Sequence, residues 1–171
     1  MKDLKKSIPS IITALRLLSA PFFYYLFLNS TCLLAFLIFV GAAITDIIDG
    51  RLARKYNATS VFGSYLDVCS DFILIICAFL AFIKIKWYCY LLILIIIASF
   101  AIFILTSRKK KLIYDPVGKY TGTILMVSIL LTMLIPYPLI RKIITYIIAL
   151  SFVTSICFRI HFLYKTKGIC Y

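Results

Sequence analysis

Residues 46–71, DIIDGRLARKYNATSVFGSYLDVCSD, decide how this chain is read. Four of the six acidic residues of the whole protein fall inside them: Asp46, Asp49, Asp67 and Asp71. On a helix, Asp46, Asp49, Gly50, Ala53 and Arg54 are spaced i, i+3, i+4, i+7, i+8 and share one face. Gly63, Asp67 and Asp71, spaced i, i+4, i+8, share a face of a second helix. The polar run Lys55-Tyr56-Asn57-Ala58-Thr59-Ser60 between them reads as a turn. Two antiparallel helices are therefore expected to present four carboxylates toward each other.

The text on either side is apolar. Of 171 residues, 64% are hydrophobic and 15% charged, with a mean hydropathy of +1.07. A soluble domain sits nearer half apolar and a quarter charged. The same numbers exclude disorder, a coiled coil and a disulfide-stapled secreted scaffold. Charge-free runs place six spans near 11–28, 32–52, 61–83, 87–107, 120–136 and 143–163, the first two separated by Asn29-Ser30-Thr31. Each is close to the ~20 residues that cross ~30 Å of hydrocarbon. The expected fold is all-α: a polytopic membrane protein with six transmembrane helices and a cytoplasm-facing polar cavity. Residues 1–171 are expected as one membrane domain, with 1–10 as a short interfacial segment. The basic start Lys2, Lys5, Lys6 runs into the first span without an A-x-A site, so no cleaved leader is expected.

Nineteen Lys and Arg stand against six Asp and no Glu, a net charge of +13. In a soluble protein that excess points to nucleic acid. In this apolar chain it points to anionic lipid headgroups and the positive-inside bias, and no nucleic-acid partner is expected. The more basic ends are the N-terminus, the loops after spans two and four, and the C-terminus. Both termini and the acidic cluster are therefore expected on the cytoplasmic side of a cell membrane. Arg16 reads as a snorkelling residue. Six scattered Cys form no C-x-x-C pair and His161 is the single His, so a zinc site is not expected.

Four carboxylates at a membrane edge are costly: a charge deep in a membrane helix costs roughly 2.5–3.5 kcal/mol on insertion scales, before mutual repulsion. One Asp paired with an Arg can serve as helix glue, but four on two facing stripes exceed that role. Oxygen ligands without His or Cys favour hard divalent ions, Mg²⁺ or Mn²⁺, with Ca²⁺ also open. Two such ions bridged by carboxylates suit phosphoryl transfer. Gly50 and Gly63 leave room for a bulky ligand against the backbone. A cation pathway would use the same acids, but the adjacent Gly and Arg suit an anionic ligand better.

Written out, these residues read D-x2-D-G-x2-A-R-x8-G-x3-D-x3-D. The pattern resembles the signature of the CDP-alcohol phosphatidyltransferase family, with all eight fixed positions filled. The six-span layout and the segment Pro9–Arg16, similar to the family's start before its first span, extend the resemblance along the chain. It implies transfer of a phosphatidyl group from a CDP-linked lipid, usually CDP-diacylglycerol, to an alcohol with release of CMP. It further implies two Mg²⁺ or Mn²⁺ ions held by Asp46, Asp49, Asp67 and Asp71, with Asp71 also the base for the acceptor hydroxyl. Gly50, Arg54 and Ser60 stand where relatives contact the CDP group, and Gly63 where close approach of the nucleotide is needed. A homodimer is implied by the resemblance alone.

The acceptor is less sharply marked. Phe62-Gly63-Ser64-Tyr65-Leu66-Asp67 is similar to the phosphatidylglycerophosphate synthase branch, which makes glycerol 3-phosphate the expected acceptor. That branch usually continues with Pro and later Lys, where this chain has Val68 and Phe72. Serine and inositol phosphate acceptors, and an ether-lipid donor, stay open. The basic run Arg108–Lys111, with Lys119 and Arg159, offers groups for an acceptor phosphate or, equally, ordinary positive-inside charge. Gly118-Lys119-Tyr120-Thr121-Gly122 is a G-x-x-x-G and a candidate close helix contact. Two rivals of other classes, a divalent-cation transporter and a non-enzymatic lipid-binding protein, both predict no CMP.

Overall fold

The computed structural model describes residues 2–55, 61–107 and 116–167, with side chains described for 15–45, 66–105 and 120–158. Among the described residues every regular element is a helix. They are α1 (Lys2–Leu28), α2 (Cys32–Lys55), α3 (Val61–Lys84), α4 (Tyr90–Ser107), α5 (Pro116–Leu134) and α6 (Pro138–Lys167). Helix is the form in which an apolar segment satisfies its own backbone groups. Residues 2–10, expected as an interfacial lead-in, are helical and continuous with α1.

The helix ends follow from local chemistry. Ser30 adopts the left-handed conformation at φ 63°, and the Thr31 amide donates back to the Leu26 carbonyl at 3.2 Å. That six-to-one bond closes α1 as a Schellman cap, here built on Ser rather than Gly. The Thr31 carbonyl then accepts from the Ala35 amide at 3.0 Å, which starts α2 with almost no intervening loop. Lys86, at φ 61°, plays the same stopping part after α3. Pro116 and Pro138 open α5 and α6 at the first helical position, where a missing N–H costs nothing.

Two compact units divide the chain, Met1–Lys86 and Trp87–Tyr171. In the first, α1 packs against both α2 and α3. Arg16, Ala20, Phe23 and Phe27 are all buried and spaced along one stripe of α1. On α3 the buried stripe is Ser70, Leu74, Ala78, Ala81 and Phe82, with Asp67 and Asp71 at its start. Phe23 meets Phe39 of α2 with ring centroids 5.7 Å apart. Phe27 meets Phe82 edge-on at 5.0 Å. Ala20, Ala35, Ala78 and Ala81 are fully buried, letting backbones approach closely. Because Arg16 pairs with the start of α3 and Phe27 with its end, α1 and α3 run parallel. The polar pairing closes one end of their seam and the aromatic pairing the other.

In the second unit α6 packs against α4 and α5. Leu125, Ser128, Ile129 and Thr132 of α5, and Ile144 and Ile148 of α6, are buried. Thr132 Oγ1 donates to the Ser128 carbonyl at 2.7 Å. Its remaining capacity is as an acceptor, so Tyr88 Oη donates to it, also at 2.7 Å. The Arg141 guanidinium lies over the Trp87 ring, 4.8 Å from its centroid, a cation–π contact near a helix end. A Cβ placed on Gly122 would meet nothing within 4 Å. Among the described residues, Gly122 therefore does not make the close helix contact expected of the G-x-x-x-G.

Large apolar side chains such as Leu18, Leu33, Leu94 and Leu150 are exposed, a surface suited to lipid rather than water. Among the described residues, two helical stretches are long and apolar enough to cross a membrane: Leu66–Lys84 and Pro138–Phe158. The apolar stretches Leu15–Leu28, Cys32–Thr45, Tyr90–Leu105 and Tyr120–Leu134 are shorter. The six helices stand where six spans were expected, and two of them meet the length and apolarity of a crossing.

Candidate functional site

Asp67 and Asp71 leave α3 one turn apart, so both carboxylates reach the same neighbourhood. What they meet there comes from α1. Arg16 Nη1 donates to Asp67 Oδ1 at 2.7 Å and to Asp71 Oδ1 at 2.8 Å. The same nitrogen lies 3.3 Å from Ser70 Oγ, and Ser70 Oγ donates to the Asp67 carbonyl at 2.8 Å. One cationic nitrogen thus gathers three oxygen-bearing side chains from consecutive positions of one α3 face.

Burial is uneven across this cluster. The Arg16 side chain is 2% exposed, against 41% for Asp67 and 27% for Asp71. A ligand can therefore reach the carboxylates from outside the unit, while the guanidinium stays inside. A buried charge is tolerated only when paired and hydrogen-bonded, and the two aspartates meet that need at Nη1 of Arg16.

This corrects the expectation that Arg16 snorkels toward headgroups. Arg16 shares its helix face with Ala20, Phe23 and Phe27, which points it at α3. Two carboxylates wait there, so the charge is met inside the protein rather than at the lipid surface. Ser70 was missed altogether in the sequence. The available signals were Arg16 falling on the apolar stripe, and Ser70 lying between two acids on theirs; an ionisable residue within a membrane segment is a site hypothesis by default.

The other expected site residues are only partly placed. Asp46, Asp49, Gly50 and Arg54 fall in the last turns of α2, and Gly63 in the first turn of α3. Their side chains and surroundings lie outside the described residues, as does Ser60 entirely. The basic run Arg108–Lys111 and the side chains of Lys119 and Arg159 lie outside them too. Among the described residues no group of three or more His, Cys, Asp or Glu forms a metal cluster. Asp67 and Asp71 nonetheless fit a hard cation: two carboxylate oxygens already converge on one positive atom.

An all-helical, strongly apolar chain whose polar centre is a set of gathered aspartates is the class that fold and site define. The chain belongs to the CDP-alcohol phosphatidyltransferase family, which it matches over residues 6–157. It is similar to three bacterial proteins named CDP-diacylglycerol–glycerol-3-phosphate 3-phosphatidyltransferase. That of Wigglesworthia glossinidia brevipalpis is 37% identical over 84 residues, 47% of this chain and 46% of the relative. That of Haemophilus influenzae is 36% identical over 84 residues, 47% of this chain and 45% of the relative. That of Escherichia coli is 40% identical over 72 residues, 40% of each chain. The matched segments thus span under half the length of these curated relatives.

Proposed function

We propose that this protein transfers a phosphatidyl group from CDP-diacylglycerol to glycerol 3-phosphate, releasing CMP, in phospholipid biosynthesis. The observation that carries the reading is the convergence of Asp67 and Asp71 on one cationic atom, at 2.7 and 2.8 Å. These are two of the four acids of the family pattern, in a chain that matches the family over 6–157. The similarity to three glycerol-3-phosphate phosphatidyltransferases supports the acceptor.

In the reaction the acceptor hydroxyl attacks the lipid-side phosphorus of the pyrophosphate. A new P–O bond forms to the acceptor, the bond to the CMP oxygen breaks, and CMP leaves. Asp71 takes the hydroxyl proton, a role that needs an ionised carboxylate within reach of the acceptor. Asp46, Asp49, Asp67 and Asp71 would hold two Mg²⁺ or Mn²⁺ ions. When bound, such ions neutralise the pyrophosphate and stabilise both the attacking and the leaving oxygen. Gly50, Arg54, Ser60 and Gly63 receive the CDP moiety.

The same reading has residues 1–171 acting as one membrane domain with six spans. Both termini and the active site face the cytoplasm, the lipid tails of the donor stay in the bilayer, and the protein works as a homodimer. Purified protein given CDP-diacylglycerol and Mg²⁺ is expected to release CMP with glycerol 3-phosphate and not with serine, inositol or inositol phosphate. CMP release with a different one of these would reassign the acceptor. No release with any of them, nor with an ether-linked donor, would falsify the enzymatic reading and favour a non-enzymatic one.

A further inference from the structure

Among the described residues, Arg16 is the one charged residue that is buried, and it is not part of the family pattern at 46–71. A single atom of it, Nη1, bridges Asp67 Oδ1 and Asp71 Oδ1 at 2.7 and 2.8 Å. Two carboxylates one turn apart on the same helix repel each other, and a cation between them removes that repulsion. A divalent ion would satisfy the same oxygens at about 2.0–2.1 Å for Mg²⁺. Guanidinium and metal cannot both sit between those two oxygens.

We propose that Arg16 is the resident counter-cation of the aspartate centre, and that divalent metal binds Asp67 and Asp71 by exchange with it. The inference rests on the reading of these aspartates as metal ligands. Arg16 suits the part because its helix is anchored independently, by Phe23 on Phe39 and Phe27 on Phe82. The long aliphatic stem lets the charged head move while α1 keeps its place. Arg16 is then a positioning residue: it holds the two carboxylates facing one point until metal arrives, and it sets how tightly metal is held.

Exchange predicts effects of opposite sign on two readouts. Without Arg16 the metal-free carboxylates lose the cation that bridges them, so the protein loses stability. Without Arg16 the metal also loses a competitor, so it binds more tightly. A side chain that merely packs would lower stability equally with and without metal and would not tighten binding.

The test uses the full chain in detergent, stripped of metal with chelator, as wild type, Arg16→Gln and Arg16→Lys. Mn²⁺ binding is followed by electron paramagnetic resonance, and thermal unfolding is measured with and without Mn²⁺. Arg16→Gln is expected to lower the metal-free Tm by roughly 6–20 °C. Its Mn²⁺ affinity is expected to rise about tenfold, as loss of a nearby positive charge implies, so that Mn²⁺ recovers most of the lost Tm. Arg16→Lys keeps the charge but loses the planar fork, and is expected to bind Mn²⁺ about threefold more tightly than wild type. Should Arg16→Gln fail to fold, the Lys variant decides. Unchanged or weaker Mn²⁺ binding in the variants, or a Tm deficit that Mn²⁺ leaves untouched, overturns the exchange. A wild-type chain that binds no Mn²⁺ overturns the metal reading itself and the exchange with it; wild-type binding with unchanged variants overturns the exchange alone.

Discussion

Arg16 Nη1 lies 2.7 Å from Asp67 Oδ1, although 51 residues of chain separate the two. The contact joins α1 to the acidic face of α3 and makes the first helix part of the candidate site. It also ties site geometry to the seam below it, where Ala20, Phe23 and Phe27 hold α1 in register with α3.

Asp71→Asn keeps the size of the side chain and removes its capacity to take a proton. CMP release is expected to fall by roughly 10²–10⁴-fold, with the fold retained by circular dichroism. Normal turnover in this variant would remove Asp71 from the role of base.

Chelation of divalent metal is expected to abolish CMP release, and Mg²⁺ or Mn²⁺ to restore it. Asp46→Ala should raise the Mg²⁺ concentration at half-maximal rate, which a metal titration of the initial rate reads directly. Full activity after exhaustive chelation would rule out a metal-assisted transfer.

Ala78→Leu places a larger side chain on a fully buried position of α3. Overpacking of this kind costs about 1–3 kcal/mol, which for a chain of this length lowers Tm by roughly 2–12 °C. Activity should fall with it, because the insertion pushes α3 away from α1 and parts Asp71 from Arg16. A Tm and rate equal to wild type would show that the seam does not align the site.

Tyr88→Phe deletes the hydroxyl that donates to Thr132 in the second unit. Thr132 keeps its own bond to the Ser128 carbonyl, so the loss is one neutral hydrogen bond, about 1 kcal/mol. The expected fall in Tm is roughly 2–4 °C. The double variant with Thr132→Val should cost little more than Thr132→Val alone, which a thermal double-mutant cycle measures.

Much of the helical layout was legible in the text. The second and third spans expected at 32–52 and 61–83 correspond to α2 at Cys32–Lys55 and α3 at Val61–Lys84. Long charge-free runs in lipid satisfy their backbone groups as helices, and Asn29-Ser30 separates the first two for a reason local to those residues; α5 and α6, expected from 120 and 143, start earlier, at Pro116 and Pro138. The N-terminal segment was less legible: Lys2, Lys5, Lys6 and Pro9 suggest a separate lead-in, yet α1 runs through all four.

The family pattern at 46–71 was legible for a related reason. Its acids, glycines and arginine lie within two adjacent helices, and helical periodicity alone places each set on a face. Composition, helix positions and the identity of the carboxylates were thus determined by the sequence itself, because each rests on neighbours within a few turns. The role of Arg16 was not. Its partners Asp67 and Asp71 lie 51 and 55 residues away, and a lone Arg near a membrane edge reads equally well as an anchor in headgroups. Only the parallel packing of α1 on α3, through Phe27 and Phe82 at one end, brings the guanidinium to the carboxylates at the other. Burial on that seam then turns a surface anchor into the counter-charge of the site.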